Sequence, residues 1–239
     1  MSEDQPIAIL GGTGDQGLGL ALRFCQARRR VVIGSRDRAR AGRAAEQVAG
    51  RVPGALVAGL ENAEAIADAS VVILSVPFES TVATLEAVRE RFEPGQLVVS
   101  IGVPLASAVG AGATRLLGVW EGSCAELVAS RLPEGVEVAS ALQNVAAHRL
   151  RQLAEPIDCD VVVSGAPGPR RRCMALCELL PGVRAIDGGP LANARIVESL
   201  TALLIGLNAR YRVPEGIGLR FTGLPASERG GAKAAESSG

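Results

Sequence analysis

The stretch Pro6-Ile-Ala-Ile-Leu-Gly-Gly-Thr-Gly-Asp-Gln-Gly17 predicts the fold of the chain. Its first part, residues 7–10, is apolar and uncharged, as is typical of a strand buried on both faces of a parallel sheet. In a G-x-G-x-x-G pattern, the first glycine permits a tight turn and the second lets the backbone approach a pyrophosphate. The third lets the helix pack closely on the strand. We therefore predict a dinucleotide site at the N-terminus of the following helix. The residues of this pattern are Gly12, Thr13, Gly14, Asp15, Gln16 and Gly17.

Short apolar runs alternate with amphipathic helical patterns through most of the chain. This alternation predicts an α/β fold, a Rossmann-type doubly wound parallel sheet with a smaller C-terminal α/β domain. We expect a nucleotide-binding domain at residues 1–145, a small domain at 146–224 and a disordered tail at 225–239, which lacks apolar bulk. The predicted strands are residues 7–10, 31–34, 55–58, 70–76, 97–101, 136–142, 160–164 and 183–186.

A long helix is predicted at residues 190–209, with Pro190 in its first turn. Arg195 and Glu198 are three residues apart and can pair on its surface. A separate arginine run, at residues 170–172, is predicted to lie in a solvated loop.

The predicted helix at residues 190–209 carries an apolar stripe that faces either the core or a second subunit. Its residues are Ile196, Leu200, Leu203, Leu204 and Leu207.

The composition excludes several classes of function. The formal net charge of the 239 residues is zero and aromatic residues are 3%, which argues against nucleic-acid partners. No apolar run approaches the roughly 18 residues of a membrane span, and the acidic N-terminus does not resemble a signal peptide. The five cysteines form no C-x-x-C pair and there is one histidine, so we predict no metal site. We expect a cytoplasmic protein.

The end of the second predicted strand indicates which dinucleotide is bound. An NAD site usually has an Asp or Glu here to bind the ribose hydroxyls. This chain has Ser35 and Arg36 instead, and Arg40 follows one helical turn later. A guanidinium suits the 2′-phosphate of NADP because its planar fork can bind two oxygens. The sequence therefore favours NADP over NAD.

Two further segments are predicted to line the cofactor cleft, because ligands bind beyond the carboxyl ends of parallel strands. They are Ser75-Val76-Pro77-Phe78 and the residues around Val103. No catalytic acid is evident: Tyr211 is the only tyrosine and Lys233 the only lysine, so a Tyr-x-x-x-Lys pair is impossible. Hydride transfer between two stacked redox cofactors needs no such group, only positioning and a dry pocket. We predict no catalytic residue.

Four segments resemble the NADPH-dependent F420 reductases, also called F420H2:NADP oxidoreductases. They are residues 11–23, 32–36, 74–78 and the more specific Asp187-Gly-Gly-Pro-Leu-Ala-Asn-Ala-Arg-Ile-Val-Glu-Ser-Leu-Thr201. The similarity covers residues 6–222. It implies reversible hydride transfer between NADPH and coenzyme F420, a 5-deazaflavin. It also implies a homodimer in which the small C-terminal domain covers the cleft.

The resemblance also implies which residues contact the two cofactors. Family contacts to NADP fall on residues 13–16 and on Ser35, Arg36 and Arg40. Gln143-Asn144 departs from the family, whose members often have His-Thr or Asn-Asn there, so the side-chain donors differ. Contacts around the nicotinamide and the deazaflavin fall on Phe78, Val82, Val103, Ala146 and Ile217.

Two alternatives remain open from the sequence. One is an NADP-dependent reductase of a small imine or carbonyl compound, resembling the pyrroline-carboxylate reductase group. Asp160, Glu198 or His148 pointing into the cleft beside the nicotinamide would favour that alternative. The other is a non-catalytic NADP-binding sensor, in which side chains would block the second pocket.

Overall fold

The computed structural model describes residues 5–224, and the predicted tail at 225–239 lies outside this range. Eight strands form one sheet, and no helix within the described range is long and apolar enough to cross a membrane. The strands are β1 (Ile7–Leu10), β2 (Val31–Ser35), β3 (Val57–Glu61), β4 (Val71–Leu74), β5 (Leu97–Ser100), β6 (Glu137–Ser140), β7 (Cys159–Gly165) and β8 (Val183–Asp187).

The strand order is β3-β2-β1-β4-β5-β6-β7-β8, and the first six strands are all parallel. This 3-2-1-4-5-6 order is that of dinucleotide-binding sheets, so the predicted Rossmann-type fold is confirmed. β7 pairs antiparallel with β6 through Ala139 and Gly165, and β8 then runs parallel to β7. The predicted domain boundary near residue 145 stays a prediction.

Helices cover both faces of the sheet, as strand–helix alternation requires. They are α1 (Asp15–Gln26), α2 (Arg38–Arg51), α3 (Asn62–Ala65), α4 (Thr81–Val88), α5 (Cys124–Arg131), α6 (Ala147–Arg151), α7 (Pro167–Cys177) and α8 (Ala194–Tyr211). One face is a core that joins β1, β2 and β5 to α1, α2, α6 and α7, while α3, α4 and α5 pack on the other. α8 lies against α5.

The arginine run at residues 170–172 is in α7, so the prediction of a solvated loop is wrong. Pro167 begins the helix, where its missing N–H costs nothing. Arg172 donates to the carbonyl oxygens of Ser70 and Gly95 and pairs with Glu137, and Arg170 pairs with Asp187. These arginines therefore tie α7 to the sheet.

α8 begins four residues after Pro190, which precedes a single 3-10 turn. The predicted surface pair of Arg195 and Glu198 is wrong because Glu198 is buried against the N-terminus of α5. The apolar stripe of α8 is divided between core and surface. Leu204 is buried, whereas Ile196 and Leu203 are 59% and 57% exposed. The outer half of the stripe is thus left uncovered by the described residues 5–224.

Candidate cofactor site

A cavity of about 880 Å³, the main cavity, lies at the carboxyl ends of the strands. It extends from the ends of β2 and β3 past the loop after β1 to the residues that follow β5 and β6. Thirteen of the nineteen predicted cofactor residues line it: Thr13, Gly14, Asp15, Gln16, Ser35, Arg36, Arg40, Ser75, Val76, Pro77, Phe78, Val103 and Gln143.

The shape of the loop after β1 requires glycine at several positions. A Cβ at Gly11, whose φ is +74°, would lie 2.5 Å from the carbonyl oxygen of Ser75. A Cβ at Gly12 would lie 2.8 Å from the oxygen of Ile9, and one at Gly17 would lie 2.6 Å from Cα of Gly12. Gly12 and Gly17 therefore shape the loop without lining the cavity. The tight turn uses a positive φ at Gly11 rather than at Gly12.

The end of the cavity beside β2 and β3 is rich in cationic groups. Ser35 is buried, and its Oγ accepts a hydrogen bond from the N–H of Asp37. Asp37 caps α2, accepting from the N–H groups of Ala39 and Arg40 at 2.8 and 3.1 Å. Its charge is thereby committed to the helix. Arg36 and Arg40 are exposed and form no ion pair with any described residue. Two guanidinium groups are thus left for an anion.

Gln143 and Thr201 line the opposite end of the cavity. Nε2 of Gln143 donates to Oγ of Ser140 at 2.6 Å and to the oxygen of Ser100 at 3.2 Å. Oγ1 of Thr201 donates to the backbone oxygen of Gln143 at 3.0 Å. Oε1 of Gln143 is buried and has no hydrogen-bond partner within residues 5–224. The side chain is therefore held in place with one acceptor unused.

Asn144, Ala146 and Ile217 line a different space, a second cavity of about 370 Å³ that also borders Arg149 and Arg220. Nδ2 of Asn144 donates to the backbone oxygen of Asp160 at 2.7 Å. Gln143 and Asn144 are thus adjacent in sequence but border separate cavities. Val82 is on the first turn of α4 and is not among the residues that line the main cavity.

The segment 143–155 is positioned by side chains of α1. Nε2 of Gln16 donates to the oxygen of Val145 at 3.1 Å. The guanidinium of Arg23 donates to four carbonyl oxygens, those of Leu150, Arg149, Gln152 and Glu155, at 2.7–2.9 Å. Arg23 is 1% exposed, and burial lowers its pKa. One helix thus places its N-terminus at the main cavity and holds the segment after β6.

Several residues that line the main cavity were missed at the sequence level. Thr201 lies on α8, and only its position in the specific C-terminal motif could have indicated it. Asn62 directly follows β3, and a better bound for that strand would have placed it at the carboxyl edge. Ile101 and Gly102 belong to the predicted segment around Val103, whereas the other missed residues have no distinctive local pattern: Glu79, Ser80, Thr84, Leu105, Ser107 and Ala108.

The three ionisable residues that an imine or carbonyl reductase would use have other partners. Asp160 is fully buried; burial alone would raise its pKa, but hydrogen bonds from Arg184, the N–H of Phe221 and Arg220 lower it to about 2. Burial raises the pKa of Glu198 to about 7, against hydrogen bonds from the N–H groups of Cys124 and Ala125. His148 contacts Gln152. None of the three lines the main cavity.

Comparison with known proteins agrees with this geometry. The family described as NADP oxidoreductase coenzyme F420-dependent matches residues 6–104. F420-dependent NADP reductases from Methanothermobacter thermautotrophicus and Methanocaldococcus jannaschii are 45% and 46% identical. These alignments cover 93% and 91% of this chain and 97% and 98% of the relatives.

Solved structures show the same fold. An Arthrobacter sp. FB24 protein assigned as an F420-dependent NADP reductase superposes with a TM-score of 0.75 at 25% identity, over 91% of this chain and all of the other. An imine reductase from Pseudomonas sp. gives a TM-score of 0.60 at 16% identity, over 87% of this chain and 64% of the other, and supports the fold alone. The chain belongs to the F420-dependent NADP reductase family.

Proposed function

We propose that this chain catalyses reversible hydride transfer between NADPH and coenzyme F420. The observation that carries the proposal is the continuity of the main cavity. It joins Arg36 and Arg40, which have no ion-pair partner among residues 5–224, to Gln143 and Thr201 at the other end, past the glycine loop. A dinucleotide with a 2′-phosphate fits this order of groups, and the curated relatives are F420-dependent NADP reductases.

Each part of NADPH has a counterpart in the main cavity. The backbone at residues 13–16 and the N-terminus of α1 suit the pyrophosphate, whose charge the helix dipole stabilises. Ser35, Arg36 and Arg40 suit the 2′-phosphate. The wall of the main cavity along the nicotinamide half of NADPH is then formed by Ser75, Val76, Pro77, Phe78 and Val103.

The balanced reaction is NADPH + F420 + H⁺ ⇌ NADP⁺ + F420H2, in which the dihydronicotinamide supplies the hydride and solvent supplies the proton. The chain contributes position and exclusion of water; the described residues that line the main cavity include no histidine, tyrosine, lysine or cysteine, and solvent can supply the proton without the carboxyl groups of Asp15, Asp37 or Glu79. Gln143 offers the unused acceptor Oε1 to an N–H group of either ring system. We therefore propose that catalysis needs no acid from the protein.

The remaining predicted residues keep narrower roles. Gly12 and Gly17 shape the phosphate loop, as their close contacts indicate. We propose that Val82, Asn144, Ala146 and Ile217 contact F420 outside the two stacked rings. The support is that Asn144, Ala146 and Ile217 border the second cavity rather than the main cavity.

We also infer a homodimer, with the segment at 146–224 as a small domain at the cleft. The support is a set of exposed apolar side chains, Leu116, Trp120, Ile196 and Leu203, which are 40%, 99%, 59% and 57% exposed; Leu116 and Ile196 border the same pocket. Sedimentation should give a dimer, and Ile196→Glu with Leu203→Glu should give a monomer; a wild-type monomer would contradict the inference.

We also propose a cytoplasmic location. The five cysteines are buried and form no disulfide, which supports this location.

The test of the proposed function is to mix the purified protein with NADPH and F420 and to follow the visible absorbance of the deazaflavin. We expect bleaching with NADPH and much slower bleaching with NADH. Measurable NADPH binding without bleaching would contradict the proposal and favour the sensor or the imine reductase.

A further inference from the structure

Asn62 is a buried polar residue without an evident structural partner. It is 8% exposed, and its Oδ1 accepts no hydrogen bond from any described residue. It also lines the main cavity. Burying an amide without partners costs free energy, so such a group in a binding cavity is expected to find its partner in the ligand.

The local structure does not need the Asn62 side chain. Asn62 is the first residue of α3, and asparagine often caps a helix at such a place. Here the cap is Glu61, whose side chain accepts from the backbone at Glu64, while the Glu64 side chain accepts from the N–H of Glu61. This capping box satisfies the end of the helix without the carboxamide of Asn62.

The sheet places Asn62 at the adenosine end of the main cavity. Glu61, at the end of β3, pairs with Ser35 at the end of β2, so Asn62 lies directly beyond the Ser35 position. Its Oδ1 lies against Gly34, where an added Cβ would be 2.8 Å from it, so the carboxamide turns about its last side-chain bond to present this acceptor to a ligand in the cavity. Gly34 thus leaves room for the carboxamide beside the 2′-phosphate residues, and the nicotinamide end lies on the far side of β1.

We propose that Asn62 recognises the adenine ring of NADP(H). A primary carboxamide has a donor and an acceptor side by side, which matches the edge of adenine that carries the 6-amino group. Arg36 and Arg40 then select the 2′-phosphate, and Asn62 selects the base. This inference rests on the NADP site proposed above.

The test compares binding of NADPH with that of its 1,N6-etheno derivative, in which a bridge removes both the donor at the 6-amino group and the acceptor at N1, so that the carboxamide cannot pair with this edge in either orientation. We expect wild type to bind NADPH about five- to tenfold more tightly, as one net hydrogen bond implies. Asn62→Ala should bring this ratio to about one and leave the ratio of NADPH to NADH affinity unchanged. Glu64→Ala is the control: it disrupts the capping box and should keep the wild-type preference.

Thermal unfolding without nucleotide checks that each variant folds, and Asn62→Leu, close in size, replaces Asn62→Ala if the latter does not. A wild-type ratio near one, or a ratio that survives the substitution, would overturn the adenine assignment alone. Failure of wild type to bind NADPH would instead overturn the NADP site itself.

Discussion

The glycine loop at residues 11–17 and the segment at residues 143–155 both border the main cavity, but they are positioned in different ways. The loop is shaped by contacts among near neighbours, such as Gly17 against Gly12, and by the oxygen of Ser75 above Gly11. The segment is held by Gln16 and Arg23, which are 126 to 132 residues away in sequence. The shape of the glycine loop can be inferred from its sequence motif, whereas the contacts that hold the segment at residues 143–155 depend on the fold.

Arg23 gives the largest expected effect. Arg23→Met would remove a donor from four carbonyl oxygens, of which that of Leu150 is buried and the other three are partly buried, so we expect the free energy of unfolding to fall by about 3 kcal/mol. Urea unfolding measures the change, and hydrogen exchange should locate the loosening at residues 147–155. Arg43→Met, at an exposed position of α2, is the control and should change stability by less than about 0.5 kcal/mol. A loss below about 1 kcal/mol for Arg23→Met would show that the segment does not depend on α1.

The 2′-phosphate end comes next. Arg36→Ala with Arg40→Ala should weaken NADPH binding by about 3 kcal/mol, or roughly a hundredfold, because charge-assisted hydrogen bonds are lost. NADH binding should change little, since NADH lacks the 2′-phosphate. Calorimetric titration measures both affinities, with Arg38→Ala as the control because Arg38 pairs with Glu64 instead. Equal losses for the two nucleotides would show that these arginines do not bind the 2′-phosphate.

The pH dependence of stability reports on Glu198, which holds α8 against the N-terminus of α5. Burial raises its pKa from 4.5 to about 7, so the folded state binds more protons than the unfolded state between these pH values. Stability from this group is therefore present below pH 4.5 and is lost as the pH rises toward 7.

We expect wild type to lose about 2 kcal/mol of unfolding free energy from this group between pH 5 and pH 7.5. Urea unfolding across this range should show a shallower dependence in Glu198→Gln, which cannot ionise. Glu46→Gln, at an exposed position of α2, is the control and should follow wild type. Parallel pH profiles for wild type and Glu198→Gln would contradict the assigned pKa.

The sequence was sufficient for features that depend on local pattern. It predicted the order of strands and helices, the glycine loop, and Arg36 and Arg40 beside the cavity. It missed the antiparallel entry of β7, the burial of Glu198 and the partners of Arg172, because each depends on which distant elements meet. α5 was missed although Ser123 and Glu126 form the S-x-x-E signal that opens it. Asn62 was missed because a single buried amide has no periodicity.

The central claim is direct hydride transfer between two rings held in one cavity, with no acid from the protein. It is tested most directly with NADPH carrying deuterium at the transferable position of nicotinamide C4, incubated with F420 and the enzyme in ordinary water. We predict that the deuterium appears in F420H2, and that unlabelled NADPH in D₂O places no deuterium at the hydride-accepting carbon. Loss of the label to solvent, or incorporation of solvent deuterium at that carbon, would contradict direct transfer.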